Sequence, residues 1–93
     1  MDEEDWLGLT VRARNGRMVG VVVGVFTEGP LASRLRVEGA YGRGARGARG
    51  GIAVYAIPRR AVVGRQRNSL LLDVTLSVAR GRWLMHVRQR NGP

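Results

Sequence analysis

The sequence contains no cysteine and no lysine, and it has a single histidine among its 93 residues. Without cysteine, no disulfide framework, thiolate zinc site or cysteine nucleophile can form. The longest apolar stretch, residues 18–26, is broken by two glycines and falls far short of the ~20 residues that span a bilayer as a helix. Residues 2–5 are acidic, unlike the basic start of a secretory signal. We therefore expect a cytoplasmic protein with no membrane partner.

Carboxylates are also scarce, which limits the chemistry the chain can perform. Four of the seven acidic residues lie at positions 2–5, and Asp73 is the only one after Glu38. The sole histidine, His86, has no serine or carboxylate at a spacing typical of a catalytic or metal site. We predict no catalytic residues, no metal and no cofactor, and hence a protein that is not an enzyme.

Positive charge is abundant. All 16 basic residues are arginine, and the formal net charge is +9. An excess of this size on a small domain attracts polyanions such as nucleic acid or acidic protein surfaces. A GC-rich genome would also favour arginine over lysine without selection for binding, so both origins of the charge stay open.

The length suits one domain, which the composition places at residues 7–90. An acidic tail, residues 1–6, precedes it, and a short tail, residues 91–93, follows it. A Gly/Arg-rich loop is expected at residues 39–51, because glycine loses the most entropy when ordered.

Alternating apolar residues predict the first strands. Leu9, Val11 and Ala13 alternate with polar residues, as in a strand with one buried face. Asn15-Gly16 then predicts a hairpin with a type I′ turn, followed by a valine-rich second strand over residues 17–27.

Further strands are predicted where apolar runs are bounded by turn residues. The segment 59–68 is expected to be a polar connection, and residues 75–90 a short helical piece followed by a last strand. Several short strands without a long helix indicate an all-β fold, a small barrel of about five to six strands. Between the second strand and the last one, the predicted strands cover residues 31–38, 52–57 and 70–74.

The first hairpin resembles the opening of PRC-barrel domains: a Gly-led strand at Gly8, a polar-Gly turn at Asn15-Gly16, and the segment Val19-Gly20-Val21-Val22. Ile57-Pro58 followed by residues 61–63 is similar to that family's proline-led segment. KOW-type and other SH3-like barrels share a similar hairpin. The resemblance implies a compact β-barrel that serves in docking or assembly and not in catalysis.

Residues 43–51 contain an Arg-Gly-Ala repeat that ends in an RGG-like unit. Guanidinium groups suit phosphates, and glycine lets a backbone follow an irregular polyanion. A solvated, low-complexity loop is the alternative. Gly42, Gly44 and Gly47 have the spacing of a dinucleotide fingerprint, but no βαβ unit can surround them. The predicted polyanion contacts are Arg43, Arg46, Arg49, Arg59, Arg60, Arg65 and Arg67, with Tyr41 as a base-stacking candidate.

Two functions follow from these patterns. The first is a PRC-barrel-like interaction module that docks onto a protein partner or self-associates. The second is a basic barrel that binds RNA or DNA through the Gly/Arg loop. The valine-rich second strand favours the first, with interface candidates Val19, Val21, Val23 and Val25.

Overall fold

A computed structural model of the chain describes residues 6–42 and 50–89. These residues form seven strands in one mixed sheet and one short α-helix, so the predicted β-rich class is confirmed. In chain order the elements are β1 (Thr10–Arg12), β2 (Met18–Val25), β3 (Leu35–Tyr41), β4 (Gly51–Ile57), β5 (Val62–Gln66), β6 (Ser69–Leu72), α1 (Leu76–Trp83) and β7 (Leu84–Gln89).

The sheet is open, with the strand order β5-β6-β1-β2-β3-β4-β7. Strands β1 and β6 are parallel, and the other neighbours are antiparallel. The expected closed barrel of five to six strands is therefore wrong on both counts, since no ladder among the described residues joins β5 to β7. The helix between β6 and β7 supplies the reason: it packs Ala79, Leu76 and Trp83 against the core, which covers apolar side chains that barrel closure would otherwise cover.

The turn between β1 and β2 is a hairpin, as predicted, but its geometry differs. The Ala13 N–H donates to the Arg17 carbonyl over 2.8 Å, which closes a three-residue loop. Only Gly16 in this loop has positive φ, at 86°. A type I′ turn needs positive φ at two residues, so a turn ending in a left-handed glycine replaces it.

Strand β5 falls within the segment expected to be a polar connection. Val63, Arg65 and Gln66 are all exposed, and a bulge lies between Val62 and Gly64. An edge strand of this kind has no alternation of buried and polar residues. The pattern on which strand prediction depends is therefore missing here.

The Gly/Arg connection is shorter than expected. Strand β3 continues to Tyr41, and β4 begins at its cross-strand partner Gly51. Residues 39–41 and 51 therefore belong to the ladder and not to a loop. Residues 43–49, which carry Arg43, Arg46 and Arg49, lie outside the described residues.

The core lies between the inner face of the sheet and α1. As the alternation predicts, Val11, Ala13, Leu35 and Val37 are fully buried. Strand β4 is buried on both faces from Ala53 onward. The largest fully buried side chain is that of Tyr55, whose hydroxyl has no hydrogen-bond partner among the described residues.

The predicted helical piece followed by a last strand is confirmed by α1 and β7. The Thr75 hydroxyl accepts a hydrogen bond from the Val78 N–H at 3.3 Å, which caps the helix N-terminus. Across the described parts of the chain, no helix has the length and apolar character needed to cross a bilayer.

Candidate interaction surfaces

The basic cluster predicted at residues 59–67 is divided in the structure. Arg59 and Arg60 lie in a 3₁₀ turn after β4, whereas Arg65 lies in β5 and Arg67 in the turn that follows it. Only Val62, Val63 and Gly64 of β5 lie between the turn and Arg65, which is roughly 10 Å of strand. The four arginines therefore lie on three successive elements, and their joint contact with phosphates stays a prediction.

A first arginine-lined cleft surrounds the 3₁₀ turn, where Arg34, Arg59 and Arg60 line it together with Pro58. Two of these guanidinium groups donate to backbone carbonyls within the protein. Arg34 Nη1 donates to the Ala56 carbonyl over 3.3 Å, and Arg59 Nε donates to the Ser33 carbonyl over 3.1 Å. These contacts hold the turn against the end of the sheet.

A second cleft combines opposite charges. Arg60 and Arg82 line it with Asp73, beside Trp83. The carboxylate offsets part of the positive charge there, which lowers the attraction for an external anion.

A third cleft lies between the β1–β2 turn and the start of α1, and we call it the hairpin–helix cleft. Its volume is about 260 Å³, and none of its lining residues carries a carboxylate. It joins segments some 60 positions apart in the sequence, which only the packing of α1 beside the hairpin brings together. The lining residues are Asn15, Arg17, Thr75, Leu76, Ser77 and Arg80.

Tyr41, the predicted stacking residue, lies beside this cleft at the end of β3. The guanidinium carbon of Arg80 lies 4.8 Å from the centroid of its ring. The ring is half-buried and packs against the core. Arg80 therefore occupies one face of Tyr41, and the tyrosine orients the arginine.

The interface candidates of β2 have different environments. Val19 belongs to the core and is 2% exposed, so it offers no surface to a partner. Val25 packs against the core, and Val21 is half-buried opposite Glu38. Val23, which lies at a bulge, is 48% exposed. Only Val23 among the four presents a large apolar surface.

The last strand, β7, is an edge of the sheet. It pairs with β4 on one side and with no described strand on the other. Met85 and Val87 are 43% and 37% exposed on this strand. An edge with unpaired backbone groups and exposed apolar side chains is a template for the addition of another strand.

The outer face of the sheet near β7 carries an ion-pair network. Glu38 on β3 forms ion pairs with Arg36 Nη2 at 3.2 Å and with Arg88 Nη2 at 3.0 Å. The Glu38–Arg88 pair spans β4 on the same face of the sheet as Val54. Two guanidinium groups share one carboxylate, so a net positive charge remains beside the β7 edge.

Sequence reasoning did not single out Arg17, Met85 or Val87. For β7, the alternation of Met85 and Val87 with His86 and Arg88 is a signal of a strand, but nothing in it indicates an edge. For Arg17, no local pattern points to Arg80, because their proximity depends on tertiary packing.

No protein-family model matches the chain, no curated protein is significantly similar to it, and no solved structure matches its fold.

Proposed function

We propose that this protein is a non-catalytic interaction module of the PRC-barrel type, and that it docks an extended segment of a protein partner along β7. The observation that carries the proposal is the unpaired edge of β7 with Met85 and Val87 exposed beside it. Main-chain hydrogen bonds would supply affinity, and the alternate side chains would supply selectivity. The proposal retains the cytoplasmic location expected from the sequence.

The PRC-barrel component rests on the residues that carry the resemblance. Asn15-Gly16 forms the turn of the first hairpin, and Ile57-Pro58 ends β4 directly before the segment that leads into β5. These positions are compatible with a docking domain of that family, although the described sheet has an open edge.

Charge favours an acidic partner over a second copy. Two copies, each with a net charge of +9, repel one another. On β7, Met85 and Val87 alternate with His86 and Arg88, so the two faces of the strand differ in polarity. A complementary strand would place apolar residues beside the first pair and carboxylates beside the second.

The test uses a fluorescent peptide of alternating valine and glutamate, with a peptide of the same composition in two blocks as its control. Binding is measured by fluorescence anisotropy. The change Met85→Gln with Val87→Thr keeps side-chain size while removing apolar surface, and we expect it to weaken binding on the order of tenfold, or 1.4 kcal/mol. The matched control is Val63→Thr on the opposite edge, where Val63 is 59% exposed.

Equal losses from the β7 and β5 variants, or equal binding of the two peptides, would contradict docking along β7. Sedimentation equilibrium tests whether a second copy of the chain, and not an acidic partner, occupies the β7 edge. A dimer of the wild-type chain that the β7 variant abolishes would replace the acidic partner by a second copy.

A further inference from the structure

The arginines of the hairpin–helix cleft differ from those of the other two clefts in having no acceptor among the residues that the structure describes. Arg34 and Arg59 donate to backbone carbonyls, and Arg60 and Arg82 share their cleft with Asp73. Among the described residues, the Arg17 and Arg80 guanidinium groups make no hydrogen bond or ion pair, and no carboxylate lines their cleft. Of the three clefts, this one therefore has the arginine donors with the fewest acceptors among the described residues.

Other donors converge on the same cleft. The Asn15 side-chain oxygen accepts from the Arg17 N–H at 3.3 Å, which leaves the amide nitrogen of Asn15 to donate. The N–H groups of Leu76 and Ser77 begin α1 and have no acceptor within the helix. Thr75 is already used, because its hydroxyl accepts from Val78.

Arg80 is held in place before any ligand arrives. Its Nε is buried and has no hydrogen-bond partner within residues 6–42 and 50–89, and its guanidinium lies over Tyr41. A side chain that is already oriented loses less entropy on binding. Arg80 is therefore preorganised for a ligand in the cleft that it lines.

We propose that the hairpin–helix cleft binds the phosphate groups of a nucleic-acid backbone. Planar guanidinium groups and backbone N–H groups are the donors that phosphate oxygens accept from. The cleft is smaller than the ~300–1,000 Å³ of small-molecule pockets, which suits contact with one group of a long chain. Arg12 and Arg14 are exposed on the hairpin next to the cleft and extend the positive surface for neighbouring phosphates.

The site is independent of the β7 edge, so either proposal can fail alone. The test measures the anisotropy of labelled single-stranded and duplex oligonucleotides over a salt series. Arg17→Gln with Arg80→Gln is compared with Arg36→Gln and Arg82→Gln, which removes the same charge where a carboxylate lies nearby, Glu38 for Arg36 and Asp73 for Arg82. Circular dichroism monitors folding, and Arg17→Gln alone tests the cleft without touching the Arg80–Tyr41 contact.

We expect the cleft variant to bind about tenfold more weakly or worse, and its log–log salt slope to fall by about 1.4 to 1.8, since each lost phosphate contact contributes roughly 0.7 to 0.9. The single Arg17→Gln change should lower the slope by about half as much, and the control pair should stay within about twofold of wild type. Equal losses of oligonucleotide affinity in both double variants would show that binding depends on net charge alone. That result would overturn the proposed phosphate site. Binding to phosphatidylglycerol vesicles but not to oligonucleotides, with the same dependence on the cleft, would reassign the phosphate to a membrane surface.

Discussion

Arg80 on α1 lies over the ring of Tyr41 at the end of β3, with 4.8 Å between the guanidinium carbon and the ring centroid. This contact joins the helix to the sheet at the point where the chain leaves β3 for the Gly/Arg connection. It also sets the orientation of an arginine that lines the hairpin–helix cleft. The contact is therefore expected to influence both stability and anion binding.

Tyr41→Leu should lower the free energy of unfolding by about 1 kcal/mol or more, because the cation–π contact is lost together with part of the aromatic packing. Tyr41→Phe keeps the ring and should remain within about 0.5 kcal/mol of wild type. Urea denaturation measures both changes. The same pair should differ in oligonucleotide affinity, and equal affinities would show that the ring does not orient Arg80.

Gly20→Ala should destabilise the fold strongly. A Cβ at this position would clash with the Glu38 carbonyl oxygen, because β2 and β3 approach closely where Gly39 follows Glu38. The clash involves backbone and cannot be relieved by a rotamer change, so a loss of about 1–3 kcal/mol or more is expected. Gly24→Ala on the same strand is the control, since a Cβ there meets no atom within 4 Å. Thermal melts that rank the two variants equally would contradict this account of the β2–β3 approach.

Tyr55→Phe should leave stability unchanged or raise it slightly, although Tyr55 is fully buried. Its hydroxyl has no hydrogen-bond partner among the described residues, so removing it eliminates a desolvated polar group and leaves no other group unpaired. Tyr55→Leu, which also removes the ring, should cost about 2 kcal/mol or more through lost packing. Chemical denaturation would contradict the inference if Tyr55→Phe were as damaging as Tyr55→Leu.

Arg43, Arg46 and Arg49 carry the sequence-based prediction for nucleic-acid binding. Replacing all three by alanine should flatten the log–log salt slope of oligonucleotide binding by about 2 to 3, since each phosphate contact contributes roughly 0.7 to 0.9. Anisotropy across a salt series measures the slope. The matched control replaces Ala45 and Ala48 by serine, which leaves the charge unchanged. An unaltered slope in the triple variant would show that Arg43, Arg46 and Arg49 make no phosphate contacts.

Local pattern was sufficient for the features that depend on neighbours in the sequence. The alternation of Leu9, Val11 and Ala13 predicted a half-buried strand, and Asn15-Gly16 predicted the hairpin that follows. The helical piece before the last strand was also correctly predicted. The side-chain period of two in the strand and the positive φ of Gly16 in the hairpin are each properties of a short segment. The helical spacing of the segment before the last strand is equally local.

Tertiary structure alone decided where the sheet ends and which arginines meet. Barrel closure was expected because it removes exposed edges, but α1 packs Ala79 into the core and leaves β5 and β7 as edges. The basic residues 59–67 look like one cluster in sequence, yet the structure distributes them over a 3₁₀ turn, β5 and the turn that follows it. Arg17 and Arg80 are distant in sequence, yet line one cleft. Sequence determines which faces of each segment are apolar or charged, whereas strand order and helix docking depend on contacts between distant segments, which no local pattern encodes.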